Sequence, residues 1–193
     1  IVPASVFGAT APSNRIQMAC IGTGNQGIGI LRRFIQNDDV QIVAVCDVKA
    51  ARRTAVKKIA DQKYGNENCD MYRDFRELLD RSDIDAVLIA TGDRWHAEAS
   101  MLAAQAGKDV YVEKPLAKTI DEGRAMVEAG RRHNRVVQMG SQWSSCGHIV
   151  EAAEMVRSGQ LGKVSLVRGW AYLDWLPTVG HQPDGPPPEG IDY

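Results

Sequence analysis

Two short stretches of this chain carry residue types whose spacing has chemical meaning. The first is Gly22-Thr23-Gly24-Asn25-Gln26-Gly27, a GxGxxG arrangement that follows a short apolar run and opens an amphipathic one. In that setting Gly22 permits a tight turn, Gly24 lets the backbone approach a pyrophosphate, and Gly27 lets a helix pack closely on a strand. The N–H groups that begin the helix, at Asn25 and Gln26, then face the phosphates. Asp47 closes the next apolar run, twenty residues after Gly27. A carboxylate placed there accepts both hydroxyls of an adenosine ribose and repels a 2′-phosphate. The pattern predicts NAD, with NADP disfavoured, held by residues 22–47. Arg52 and Arg53 read as exposed on the following helix, with recruitment to a phosphate as the alternative.

The second stretch is Glu113-Lys114-Pro115, at the end of another strand-like run. In an open α/β sheet, ligands bind at the carboxyl ends of the strands. A Lys in that place can donate to a substrate hydroxyl, and partial desolvation beside a cofactor draws its pKa down toward useful values. Away from such a place, a loop Lys is ordinarily a surface residue. Cys20, Cys46, Cys69 and Cys146 lie far apart with no CxxC pair and no accompanying His spacing, so neither a zinc site nor a redox pair is predicted. Cys20 and Cys46 fall inside apolar runs and read as core thiols.

These residues need elements to hold them. Apolar runs at 17–22, 40–47, 86–91, 109–113 and 136–140 are apolar at nearly every position, as strands buried on both faces are. Between them, Ile28, Leu31 and Ile35, and later Ala99, Leu102, Ala103 and Ala106, recur at helical spacing. Asp74 with Glu77 and Thr119 with Glu122 have capping-box spacing, and Gly107 suits a helix end. The alternation predicts an α/β chain whose residues 15–162 form a doubly wound parallel sheet of the Rossmann type. From Lys163 the pattern changes: Val164, Leu166, Trp170 and Tyr172 alternate with other residues and predict a half-exposed antiparallel strand. Residues 163–193 thus read as the beginning of a second, incomplete domain. Its last part, rich in Pro and Gly and containing Pro186-Pro187-Pro188, reads as an extended arm or loop.

Composition narrows the partners. The 193 residues are 44% hydrophobic and 24% charged with a net charge of -1, a soluble globular profile. Basic residues occur singly or in pairs such as Arg32-Arg33 and Lys57-Lys58, which are solvated helix faces rather than a track for nucleic-acid phosphates. No apolar run approaches the roughly 18 residues of a membrane span. The chain opens on Ile1, and residues 1–14 are small, apolar and without periodicity. They read as the remnant of a cropped leader, which predicts a periplasmic or exported protein, with a flexible tail on a cytoplasmic one as the alternative.

Taken together, GTGNQG after the first strand, Cys46-Asp47 at the end of the second, Ala90-Thr91 leading to Trp95-His96, and GKDVYVEKP resemble the glucose-fructose oxidoreductase and inositol dehydrogenase family (Gfo/Idh/MocA). The resemblance runs from Arg15 to about Tyr172. It implies an NAD(P)-dependent oxidoreductase that takes hydride from a sugar, cyclitol or related polyol, with a C-terminal α/β domain supporting a homo-oligomer. By position, Gly22, Gly24 and Gly27 match the phosphate loop and Asp47 the ribose acid. Glu113 matches the cofactor-side acid and Lys114 the catalytic Lys, while Thr91 and His96 match the segment beside the nicotinamide. Some exported relatives are glycosidases that use tightly held NAD, which is the alternative activity; a nucleotide-binding module without catalysis is another. Two departures stand out. Gly92 occupies the place where the family commonly has Pro, which predicts a looser loop. The family's second-domain acid and His would lie beyond Tyr193, so residues 1–193 alone are expected to be inactive.

Overall fold

The structure, a computed structural model, describes residues 14–170 together with 185 and 186. The leader expectation for the N-terminus and most of the Pro-rich arm lie outside the described residues. Six strands form one sheet: β1 (Ile16–Ile21), β2 (Val40–Cys46), β3 (Asp70–Tyr72), β4 (Ala86–Ile89), β5 (Asp109–Glu113) and β6 (Val137–Gly140). Every pairing is parallel and the order is β3-β2-β1-β4-β5-β6. The helices between them are α1 (Asn25–Phe34), α2 (Ala50–Tyr64), α3 (Phe75–Leu79), α4 (His96–Gln105) and α5 (Ile120–Arg132). This is the doubly wound Rossmann arrangement, in which winding reverses between β1 and β4 and leaves a crevice at their carboxyl ends.

The near-continuous apolar strands are explained by two cores, one on each face. On β1, Ala19 and Ile21 face one core while Met18 and Cys20 face the other. Likewise on β4, Val87 and Ile89 oppose Ala86 and Leu88. The first core is covered by Leu78 and Leu79 of α3, Ala97, Ala99 and Ala103 of α4, and Met126 of α5. The second is covered by Ile30 and Leu31 of α1 and by Val56 and Ala60 of α2. In α1 the deepest residues are thus Ile30 and Leu31, and Ile28 of the expected stripe is only half-buried.

Helix ends follow local chemistry. Thr119 and Glu122 form the full capping box of α5, each accepting from the other's N–H. Asp74 caps α3 through the N–H of Arg76 at 2.9 Å, while its carboxylate also takes the Arg76 guanidinium. Gly107 adopts φ 78 directly after α4, the left-handed conformation in which glycine meets no steric penalty. β3 has no counterpart among the predicted runs, because it is three residues long and Asp70 and Met71 are exposed.

At the edge opposite the crevice, Arg81 binds Asp83 and Asp70 at 2.6 and 2.8 Å. Beside it Lys108, only 5% exposed, donates from Nζ to the carbonyls of Arg81 and Ile84 at 2.5 and 2.9 Å. Burial draws the Lys108 pKa below its ordinary value. The thiols of Cys20, Cys46 and Cys69 are buried. Burial pushes Cys46 and Cys69 up to about 12 and raises Cys20 as well.

Packing divides between Gly140 and Ser141, ahead of the domain limit expected at Gly162. The second unit holds a 3-10 turn at Gln142–Ser145 and α6 (Gly147–Arg157). Within it, Trp143 meets His148 edge-on at 6.2 Å. Residues 163–170 are exposed and form no strand, which corrects the expectation for Val164, Leu166 and Trp170; Tyr172 lies outside the described residues. An alternating run becomes a strand only when a neighbouring strand takes up its N–H and C=O groups, and no such neighbour stands there among the described residues.

The Arg81 pair makes a pH prediction. The Arg81 guanidinium holds the Asp83 carboxyl below its usual 3.8, so the pair's stabilisation is complete above 3.8 and is lost as pH falls through the lower folded value. Asp83 is 56% exposed, and solvent screening limits the effect to about 1 kcal/mol. Thermal melts across pH 2–7 are expected to show a gentler acid decline for Asp83→Asn than for the parent, starting from a slightly lower Tm.

Candidate functional site

Four strand ends meet at the crevice: those of β2, β1, β4 and β5. The β1–α1 turn is fixed first. Gly22 has φ +84, and a Cβ there would lie 2.6 Å from the Thr91 nitrogen and 2.7 Å from the Ala90 carbonyl carbon. A Cβ on Gly27 would overlap the carbonyl oxygen of Gly22. Both glycines are thus required by close main-chain approach, as their spacing predicts. Gly24 differs, because a Cβ there would meet nothing nearer than the Arg52 guanidinium at 3.5 Å. The missing side chain keeps a cradle open.

That cradle suits a phosphate. Gly24 is the N-cap of α1, no side chain caps the helix, and no acid stands in its first turn. The N–H groups of Asn25 and Gln26, both exposed, therefore sit at the positive end of a ten-residue helix with no competing anion from the protein. Arg52 lies on the first turn of α2, exposed as expected, yet its guanidinium stands over Gly24. Arg53 turns the other way and donates to the main-chain oxygen of Asp47 at 2.5 Å.

Asp47 is 7% exposed. Its Oδ2 accepts from the Thr23 N–H at 2.7 Å and the Thr23 hydroxyl at 3.1 Å, while Oδ1 accepts from the Lys49 N–H at 2.8 Å. A carboxylate offers about four lone-pair sites. With three taken by protein donors, the remaining capacity lies on Oδ1. Thr23 is the partner that sequence reasoning missed. It occupies a variable place in GxGxxG, where only its hydroxyl distinguishes it.

On the other side of the crevice, Thr91 lies two residues beyond β4, and its Oγ1 donates to the Gly92 carbonyl at 3.1 Å. Gly92 adopts φ -66 and ψ 148. Proline is locked near -65°, so this φ is one that a Pro would also adopt. Glu113 ends β5 and is 3% exposed. Lys114 follows it into solvent, joined to Pro115 by a cis peptide bond. His96 is 1% exposed. Its Nδ1 lies 2.6 Å from the Pro115 carbonyl oxygen and its Nε2 lies 3.2 Å from that of Thr91. With both ring nitrogens facing main chain, His96 supports the cofactor-side loops from beneath instead of lining them.

The described residues contain no group of three or more His, Cys, Asp or Glu placed to hold a metal ion, and no described helix is long and apolar enough to cross a membrane.

Known proteins share this arrangement. The family model GFO_IDH_MocA, described as an oxidoreductase family with an NAD-binding Rossmann fold, matches residues 16–141. Inositol 2-dehydrogenase of Salmonella typhimurium is 32% identical over 159 residues, which are 81% of this chain and 46% of that protein. Alpha-N-acetylgalactosaminidase of Shewanella oneidensis is 31% identical over 164 residues, 83% of this chain and 36% of that protein. The crystal structure of myo-inositol 2-dehydrogenase from Lactobacillus plantarum superposes with a TM-score of 0.69 at 26% identity, covering 78% of this chain and 43% of the other. The chain therefore spans less than half the length of the relatives it matches.

The glycine geometry separates two substitutions on one helix. Gly29 has nothing within 4 Å of an added Cβ, so Gly29→Ala is expected to stabilise by roughly 0.5–1 kcal/mol through helix propensity. Gly27→Ala forces its methyl against the Gly22 carbonyl and is expected to destabilise by about 1–3 kcal/mol. Urea unfolding of both variants reads the opposite signs directly.

Proposed function

This chain belongs to the Gfo/Idh/MocA oxidoreductase family, of which it carries the NAD-binding Rossmann fold, and from that premise we propose that it is the cofactor-binding part of a dehydrogenase acting on a sugar, cyclitol or related polyol. The observation that carries this reading is the convergence on one sheet edge of two functions. The phosphate cradle at Gly24 and the ribose acid Asp47 stand on one side of the winding reversal, and Glu113 and Lys114 stand on the other. The inositol dehydrogenase relative supports the substrate class.

In this reading Asn25 and Gln26 hold the pyrophosphate by their N–H groups, and Asp47 accepts a ribose hydroxyl. Bound NAD supplies the hydride acceptor. Lys114, exposed at the end of β5, donates to the substrate hydroxyl and orients the carbon that bears it. The remaining site residues belong to a second domain, and a homo-oligomer assembled through that domain is part of the proposal. The Shewanella relative, named as a glycosidase, favours one second reading, in which NAD is held through the cycle and shows no net reduction.

Calorimetric titration of the chain is expected to show tighter binding of NAD than of NADP, since the Asp47 carboxylate opposes a 2′-phosphate. Asp47→Ala narrows that gap by roughly 1–3 kcal/mol, the scale of a charge-assisted hydrogen bond. Tighter NADP binding by the parent would instead make Arg52, over Gly24, the group that reads the ribose.

A form extended through the second domain is expected to reduce NAD with cyclitols or aldoses. In it, Lys114→Met lowers the rate by about 10²–10⁴-fold while NAD affinity stays within a few-fold. Full activity in that variant would remove Lys114 from the chemistry, and glycoside cleavage without net NADH would select the glycosidase reading.

A further inference from the structure

His96 opens α4 and is the largest polar side chain fully enclosed in the sheet's crevice edge, at 1% exposure. It binds neither of its own helix neighbours. Its Nδ1 reaches the carbonyl of Pro115, the residue after Lys114, and its Nε2 reaches the carbonyl of Thr91. Carbonyl oxygens only accept hydrogen bonds, so the shorter contact, at 2.6 Å, is a donation from Nδ1–H to Pro115. β4 and β5 are parallel neighbours in register from Ala86 and Asp109 to Ile89 and Val112. Their loops therefore leave the sheet side by side, and one imidazole spans the space between them.

The main-chain approach at Gly22 already anchors the Thr91 end. Past the end of β5, Lys114 and Pro115 are both exposed before Leu116 and Ala117 pack back on the core, and the bond from His96 meets the chain at Pro115, next to Lys114. We infer that His96 is a positioning residue that sets the place of Lys114 relative to the Thr91 loop through the Pro115 carbonyl, so that nicotinamide-side binding and the orientation of Lys114 are coupled through one side chain. The inference rests on the cofactor reading above and adds a role that the residue's place in the sequence motif does not give. A leucine at this position would fill much of the volume and leave the Pro115 carbonyl without the Nδ1–H donor. A glutamine would restore an N–H donor from a side chain of similar reach.

The test uses the chain itself, titrated by calorimetry with NAD and with ADP-ribose, which lacks the nicotinamide ring. In His96→Leu, NAD is expected to bind roughly tenfold more weakly, the equivalent of one lost hydrogen bond, while ADP-ribose stays within about threefold. His96→Gln recovers most of the NAD affinity. Hydrogen exchange in His96→Leu quickens together at residues 91–95 and 116–118 and is unchanged at residues 22–27. Equal weakening of both ligands would show that His96 merely supports the fold, and an unchanged NAD affinity, or quickening in one loop alone, would break the coupling; any of these overturns the inference. If His96→Leu does not fold, failure of the folded His96→Gln variant to hold NAD more tightly than ADP-ribose overturns it equally. Absence of ADP-ribose binding by the parent chain would overturn the cofactor reading itself, and it is seen before any variant is made.

Discussion

At Gly22 the main chain passes so close to the end of β4 that a methyl group would lie 2.6 Å from the Thr91 nitrogen, and the geometry of the whole ligand edge descends from that approach. The Ala90 N–H reaches back to Ile21 at 2.8 Å, and the Gly22 N–H reaches sideways to Cys46 at 2.8 Å. Three strands are thereby held in register at their carboxyl ends. Thr23 then falls beside Asp47, and Thr91 falls above His96. Any side chain at Gly22 would separate β1 from β4 and displace both halves of the site together.

The two halves are built differently. Around Asp47 the polar groups are largely enclosed and answered by protein partners: Thr23, 1% exposed, and the Lys49 N–H serve its carboxylate, and Arg53 holds its main-chain oxygen. Such a network is rigid because releasing one member leaves the others unsatisfied at low dielectric. Lys114 stands outside any such enclosure. One side of the crevice is thus made rigid by the chain itself, while the lysine on the other side is left in solvent.

Much of this could be read from the sequence, because identity alone settles certain positions. Glycine at 22 and 27 answers a steric demand that no other residue meets, and an acid at 47 answers an electrostatic one. Strands buried on both faces announce themselves by unbroken apolarity, as β1, β2 and β4 do. β3 was not legible, because a three-residue strand with two exposed positions has no pattern to detect. The same holds for Thr23 and for the two carbonyls under His96, whose importance depends on which distant residue arrives beside them. The run from Lys163 shows the reverse error: alternation describes what a strand would look like, whereas pairing decides whether one forms.

The strand order also has a consequence for how the molecule is made. β1 emerges first during synthesis, yet it lies between β2 and β4, and residues 86–89 that close its second edge are translated long after it. Until then its central position is an exposed edge of apolar residues, the condition in which strands add to the wrong neighbour. Non-local parallel pairing of this kind is also intrinsically slow. Because the Gly22 turn packs against Ala90 and Thr91, the nucleotide site cannot exist before the middle of the sheet is complete, so cofactor binding cannot protect the nascent chain at that stage.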